Sequence, residues 1–255
     1  MMKLRIPVVD SLLYTLGLLS KILCGVGYFM LRGRVSYKIL IMQILFTFVE
    51  ALAITACLAL GIGAAVNIIG MQFLANISQE KQLYLVLICI TREVGPLFTA
   101  IIVIARSGTA IATEIAGMVI SHEVEAYISI GIDPVEHLGV PRFLGVTISL
   151  FLLNIYFSLF GLAGSFAVAA LFNSLAASTY FGNLLQVLTV YDILILIIKS
   201  FVLGMTIAIL SLIAGFGVER ASTEIPIAGL KAVSSSLVWC ILLDILLSAL
   251  YYITL

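Results

Sequence analysis

Charge is the scarcest ingredient of this chain. Of 255 residues, 13 are Lys or Arg and 13 are Asp or Glu, a tenth in all, and the two signs cancel. That balance gives no broadly basic surface of the kind that attracts nucleic acid. There are two histidines, His122 and His137, both in one polar segment. A nucleophile-and-base pair or a metal cluster therefore cannot be drawn across the rest of the sequence. Four cysteines, Cys24, Cys57, Cys89 and Cys240, stand alone in apolar runs with no Cys-x-x-Cys pair, and read as small hydrophobes. No GxxxxGK[ST] loop is present, so the chain does not bind ATP by that route. No inverted repeat relates the two halves, which argues against a self-contained secondary transporter.

What the chain has is apolar length. Hydrophobic residues make up 63% of it and the mean hydropathy is +1.26. A soluble core of this size does not need so much, so the class is an all-α integral membrane protein. Five runs are long enough to span a bilayer, at 39–74, 83–121, 143–172, 190–216 and 232–255. Residues 76–82 and 173–186 read as outside loops, the second polar and uncharged. Basic residues at the amino terminus, Arg142, Arg220 and Lys231 fall on one side, which places that side in the cytoplasm.

Residues 1–34 begin like a signal peptide, but Asp10 and Lys21 interrupt the apolar run and no small-residue cleavage site follows. At helical spacing Asp10, Tyr14, Gly17, Lys21, Gly25, Tyr28 and Arg32 form one stripe opposite Leu12, Leu16, Leu19, Leu23, Val26 and Met30. That pattern predicts a helix lying in the membrane surface, with a poorly polar first span as the alternative. The first span carries small residues from Gly61 to Gly70, which predict a bent or partly re-entrant helix near there. Glu50 in that span has two readings, an intramembrane functional group or a carboxylate reaching back to the cytoplasmic interface.

The segment from Thr91 to Arg142 organises the rest. Fully helical, residues 83–121 reach ~58 Å, about twice a hydrocarbon core. Gly95-Pro96 predicts a kink, because Pro96 lacks an N–H and crowds the Arg92 carbonyl. On a helical wheel Arg92, Pro96, Thr99, Arg106, Ala110, Thr113, Glu114, Gly117 and Ser121 share one side. A polar stripe of that length faces protein or water, not lipid. Its charges, Arg92 with Glu93 and Arg106 with Glu114, fit a functional path, or alternatively glue between helices.

Residues 122–140 are too polar to span and predict a compact cytoplasmic knob. Ser121 is placed to cap a helix over His122 to Ile130, and Gly131 to end it. Asp133-Pro134-Val-Glu136 fits the start of a second helix. His122 reads as a surface contact. In the fourth span, Lys199 either snorkels outward or projects into an outward-facing cavity. Asp192 marks that span's outer end, and Asp244 sits in the outer half of the fifth. Five spans make a thin wall for a pathway, which predicts a dimer.

The run TREVGPLFTAIIVIARSGTAIATEIAGMVISHEVEAYISIGIDPVEHLGVPRF resembles the signature of the MlaE family, the permeases of Mce-type bacterial lipid ABC transporters. Arg92, Glu93, Gly95, Pro96, Arg106, Ala110, Glu114, Met118, Ala126, Gly131, Asp133, Pro134, Leu138, Pro141 and Arg142 carry the match. Gly70-Met-Gln72, Ile198-Lys199-Ser200-Phe201 and Asp244-Ile-Leu-Leu-Ser-Ala-Leu resemble flanking motifs, so the likeness covers nearly the whole chain. The chain departs from the pattern at Glu50, where the family is commonly apolar, and before the last span, where ERASTEIPIAGLKAVSSS replaces a glycine-rich loop.

The resemblance implies a homodimer in the bacterial inner membrane with an interfacial helix and five spans per subunit. A separate cytoplasmic ATPase, which carries the ATP and magnesium, docks on the knob through His122, Glu123, Glu125, Tyr127, Ile128, Gly131, Asp133 and Pro134. A periplasmic Mce-domain hexamer and, in some systems, a STAS-domain protein complete the assembly. Phospholipid sits against Arg92, Glu93 and Lys199; Gln72 and Thr99 are further candidates for that pocket from the residue pattern, with Arg106, Glu114 and Asp244 as buried polar support. No cofactor, metal or catalytic residue is implied in this chain. An intramembrane enzyme and a structural scaffold are the rival readings.

Overall fold

A backbone inside hydrocarbon finds no water to bond, so apolar runs of this length close their own hydrogen bonds as helices. The computed structural model describes residues 17, 20–22, 24–27, 37–73, 84–173, 177–219 and 221–254. Among them five helices are long and apolar enough to cross a membrane: Lys38–Gln72, Tyr84–Ile120, Val135–Phe172, Val190–Phe216 and Glu224–Ile253. The second and third are buried over more than half of their most apolar stretch, and the first and fifth over less than a quarter. The second and third spans therefore form the centre, and the first and fifth the rim.

The first and third spans meet along a glycine seam. A Cβ on Gly63 would fall 1.9 Å from the Gly161 carbonyl oxygen, and one on Gly164 would fall 2.3 Å from that of Leu60. The small residues thus serve close approach. The helix runs unbroken from Leu52 to Phe73, and the expected re-entrant break does not occur.

Other boundaries shift for local reasons. The fifth span starts at Glu224 rather than Ala232, because Pro226 is tolerated in a first turn, where its missing N–H has no helical partner to lose. The segment read as an outside loop contains a helix, Ala177–Val187. Its Tyr180 is fully buried, and the phenol donates to Ser165 Oγ at 3.0 Å. Tyr180, Phe181, Leu184 and Leu188 carry the helical spacing that announces it.

Of residues 1–34, the surface-helix reading falls mostly outside the described residues. Those described are helical. Ile22 is buried in the core shared by the second, third and fourth spans, and Lys21 Nζ lies 2.9 Å from Asp133 Oδ2. This stretch therefore touches the knob.

A charged cluster between the second, fourth and fifth spans

The site begins with a proline. Pro96 supplies no N–H, so the carbonyl four residues back, Arg92 O, loses its helical partner. The chain absorbs the proline by widening to a π turn over Ile88–Val94, after which Gly95 N–H bonds Ile90 O. The orphaned Arg92 carbonyl is then taken by a side chain from another span: Lys199 Nζ donates to it at 2.7 Å. Gly95 makes room for this turn, since a Cβ there would lie 2.9 Å from Asn154 Oδ1. Asn154 Nδ2 in turn donates to Ser200 Oγ, locking the third span to the fourth beside Lys199.

Lys199 is completely buried. Its ammonium has three protons and four oxygen neighbours: Arg92 O at 2.7 Å, Ser248 Oγ at 2.7 Å, Asp244 Oδ1 at 2.9 Å and Glu93 Oε2 at 3.1 Å. The protons go to the first, second and fourth, so Asp244 Oδ1 is held by charge and has no hydrogen bond among the described residues. Ser248 accepts from Lys199 and passes its own proton to Glu93 Oε2 at 2.7 Å. Lys199 thus neither snorkels nor reaches into open space. It is tied inward, because an ammonium in hydrocarbon needs every partner it can find. Glu93 is the member of this set that faces out, with about a third of its side chain exposed.

Arg92 builds a second, adjoining pair. Its Nη1 donates to Asp192 Oδ1 at 3.2 Å, with both side chains 3% exposed. Asp192 Oδ2 accepts from the backbone N–H and hydroxyl of Thr189, which seats it at the start of the fourth span. The Arg92 guanidinium lies 4.0 Å from the ring centre of Tyr251 and 5.0 Å from that of Tyr252. Its Nε and Nη2 are buried and find no hydrogen-bond partner among the described residues. Two cations and three carboxylates thus meet about 12 Å from the outer end of the second span, at ~1.5 Å per residue.

The other charges of the polar stripe pair differently from the sequence expectation. Arg106 bonds Glu50, through Nη1 to its carbonyl and Nη2 to Oε2 at 2.7 Å. Glu50 sits about 18 Å along the first span from Lys38 and serves a pair between the first and second spans. Glu114 is half exposed rather than buried and pairs with Arg142 at 2.8 Å. Arg106 sits inside a second widened turn, Ile104–Gly108, and Glu114 beyond it, which changes which face each presents. Thr99 is fully buried, its hydroxyl returned to Gly95 O at 2.8 Å, and Gln72 is exposed at the far end of the first span, so neither joins the cluster. Asp192, Ser248, Tyr251 and Tyr252 were missed from the sequence. Ser248 follows Asp244 by one turn and Asp192 precedes Lys199 by two, spacings that set each pair on one face.

The knob hangs from the inner end of the second span. Ser121 does not cap it: Ser121 Oγ turns back to Met118 O, and His122 takes the N-cap position at a left-handed φ of 62°. Its Nδ1 meets Glu125 Oε2 at 3.0 Å. The helix Glu123–Ser129 contains no buried residue, and Ile128 and Ile130 are largely exposed. Gly131 ends it at φ 78°, a conformation that favours glycine. Asp133 caps the next turn through Val135 N at 2.9 Å. Burial pushes the Asp133 carboxyl up, but bonds from Lys21 and from backbone N–H groups outweigh it and leave it below its ordinary value.

Fold and site together define a multi-pass helical membrane protein whose spans enclose charge. Comparison with known proteins narrows the class: a family model described as Permease MlaE matches residues 40–250. A probable ABC transporter permease protein of Rickettsia prowazekii is 26% identical over 216 residues, covering 84% of this chain and 83% of that protein. The intermembrane phospholipid transport system permease protein MlaE of Haemophilus influenzae is 26% identical over 221 residues, 86% and 85% of the two chains. The chloroplast protein TRIGALACTOSYLDIACYLGLYCEROL 1 of Arabidopsis thaliana is 24% identical over 223 residues, 87% of this chain and 64% of its own. The chain belongs to the MlaE permease family.

Proposed function

We propose that this chain is the membrane subunit of an ABC transporter that moves phospholipid between the inner membrane and the cell envelope beyond it. It works as a homodimer, driven by a separate cytoplasmic ATPase and coupled outside to an Mce-domain assembly. The observation that carries this reading is the state of Arg92. Nearly all of its surface is buried, yet among the described residues Nε and Nη2 have no hydrogen-bond partner beside two tyrosine faces. Such a guanidinium fits the phosphate of a lipid, which Arg binds in bidentate fashion. Glu93, partly exposed on the same turn, is placed to meet the polar remainder of a head group.

The knob supplies the drive. The second span is one helix from Tyr84 to Ile120, and the corner at Ser121-His122 joins it directly to Glu123–Ser129. Movement of a docked ATPase at Ile128 and Ile130 pulls on this lever. The widened turns at Ile88–Val94 and Ile104–Gly108 are where the lever yields, since a π turn is a common site of helix adjustment. Displacing the first of them moves the Arg92 carbonyl relative to Lys199 and reshapes the cluster.

The test is lipid transfer by the chain reconstituted with its ATPase in proteoliposomes. Arg92→Gln is expected to reduce transfer of labelled phospholipid at least tenfold, as the loss of one charged hydrogen-bonding partner does. In the same assay Glu125→Lys with Tyr127→Ala is expected to release the ATPase. Normal transfer by Arg92→Gln in an intact complex would leave a scaffold as the better reading.

A further inference from the structure

A second hollow lies far from the outer cluster. It has a volume of about 770 Å³ and sits at the end of the bundle that carries the knob, which the charge pattern assigns to the cytoplasm, between the start of the first span, the end of the second, the start of the third and the knob. Its lining is graded. Lys38, Glu114 and Arg142 surround its cytoplasmic part, whereas Met42, Phe46 and Ala110 line the part that runs along the spans. Met42 and Phe46 are 61% and 42% exposed, so this part opens sideways onto the apolar flank of the bundle. One helical turn beyond Phe46 and Ala110 stand Glu50 and Arg106, which pair with each other.

The polar end is built. Arg142 is 4% exposed, and its Nη2 is tied to Glu114 at 2.8 Å while Nη1 reaches Leu138 O only at 3.4 Å. Glu114 is 54% exposed, so it is a carboxylate that water can reclaim, bound to a cation that cannot leave. Lys38 is exposed across the mouth. The charges at this end are therefore two cations and one releasable anion. The volume lies in the range of ligand pockets. An occupant must be anionic at one end, apolar at the other, and able to enter from the side.

We propose that this groove is a second lipid site, taking an anionic phospholipid of the cytoplasmic leaflet with its phosphate between Lys38 and Arg142 and an acyl chain along Met42 and Phe46. Phosphate displaces Glu114 from Arg142, and the freed carboxylate turns to water. The site does not use Arg92 or Lys199, so its occupancy and the transport reading stand or fall separately.

The test is a local fluorescence measurement on the full chain in lipid nanodiscs. The chain has one tryptophan, Trp239, on the fifth span. Replacing it, Trp239→Phe, and adding Met42→Trp puts the sole indole in the groove. Brominated phosphatidylglycerol is expected to quench this indole with about fivefold higher relative affinity than brominated phosphatidylcholine, the preference that one basic group near anionic lipid supplies. Lys38→Gln is expected to lower that ratio and Glu114→Gln to raise it, while native Trp239 shows no preference. Both variants sit at exposed positions, so they report on binding rather than folding. Equal quenching by the two lipids, no quenching, or a ratio indifferent to both substitutions would each overturn the proposal. The second of these outcomes would point to a protein covering the groove.

Discussion

Two of the charged contacts between spans of this protein, one around Lys199 and one around Arg106, follow opposite rules. Lys199 is completely buried, with every ammonium proton directed at an oxygen and two carboxylates beside it. Arg106 and Glu50 also join two spans, but their side chains are 32% and 48% exposed. The first site has lost its water and made up the loss from the protein. The second keeps a face open, and in a bilayer that face needs a neighbour that is not hydrocarbon. The difference separates a charge that sets the packing of three helices from a charge that waits for something to cover it.

The contrast is broken most sharply at Lys199. Lys199→Met strands Glu93 and Asp244 among buried groups, and is expected to destabilise the fold by about 3–5 kcal/mol, the usual result of removing one partner of a buried pair. Adding Glu93→Gln and Asp244→Asn to Lys199→Met removes the stranded charge and is expected to restore most of that stability. Thermal unfolding of the purified variants in one detergent checks both. A single variant as stable as the parent would mean that water reaches the cluster.

The second pair should respond far less. Glu50→Gln in the isolated chain is expected to change stability by about 1 kcal/mol or less, because exposed pairs gain little over their separate hydration. The same substitution sharpens the comparison when made in the assembled transporter. A loss several times larger there would show that assembly covers the pair and makes it a dry site like the first. Measuring the unfolding of chain and complex side by side distinguishes the two.

The sequence shows the elements of this contrast but not their pairing. The polar stripe through Arg92, Arg106 and Glu114 is legible because helical periodicity is local. So are five spans and a polar knob, since length and charge mark them directly. Which charge meets which is a matter of tertiary packing, and the widened turns spoil even the local count. Arg106 sits inside the widened turn Ile104–Gly108 and Glu114 beyond it, and the two pair with Glu50 and Arg142. The role of Pro96 was half visible: crowding at the Arg92 carbonyl followed from the residue type, but its capture by Lys199, over a hundred positions away, did not. The grouping of Arg92, Glu93 and Lys199 came from the family resemblance, and the structure joins all three. Thr99 was read from the polar stripe and Gln72 from the motif that ends the first span, and the structure sets both apart from the cluster. The helix Ala177–Val187 was hidden by its polar neighbours, although its apolar spacing was there to read.

The smallest effect belongs to a third pair, outside the membrane, which fixes the lower end of the scale. Lys21 and Asp133 are 62% and 35% exposed, and Lys21→Ala is expected to change stability by no more than about 0.5 kcal/mol, less still in high salt. Its value lies in its pH dependence. The Asp133 carboxyl titrates below its ordinary range in the folded chain, because bonds from Lys21 and backbone N–H groups outweigh the effect of burial. A depressed carboxylate stabilises the fold above its unfolded value, near pH ~4, and that contribution fades as pH falls through the folded value. Unfolding followed from about pH 6 downward should therefore lose a little stability below about pH 4 in the parent, and less in Lys21→Ala. If the two profiles run parallel, Lys21 contributes nothing to the Asp133 carboxylate. The amino-terminal stretch would then be held by apolar packing, with Ile22 in the core of the spans and Gly25 close against Val140 and Glu136.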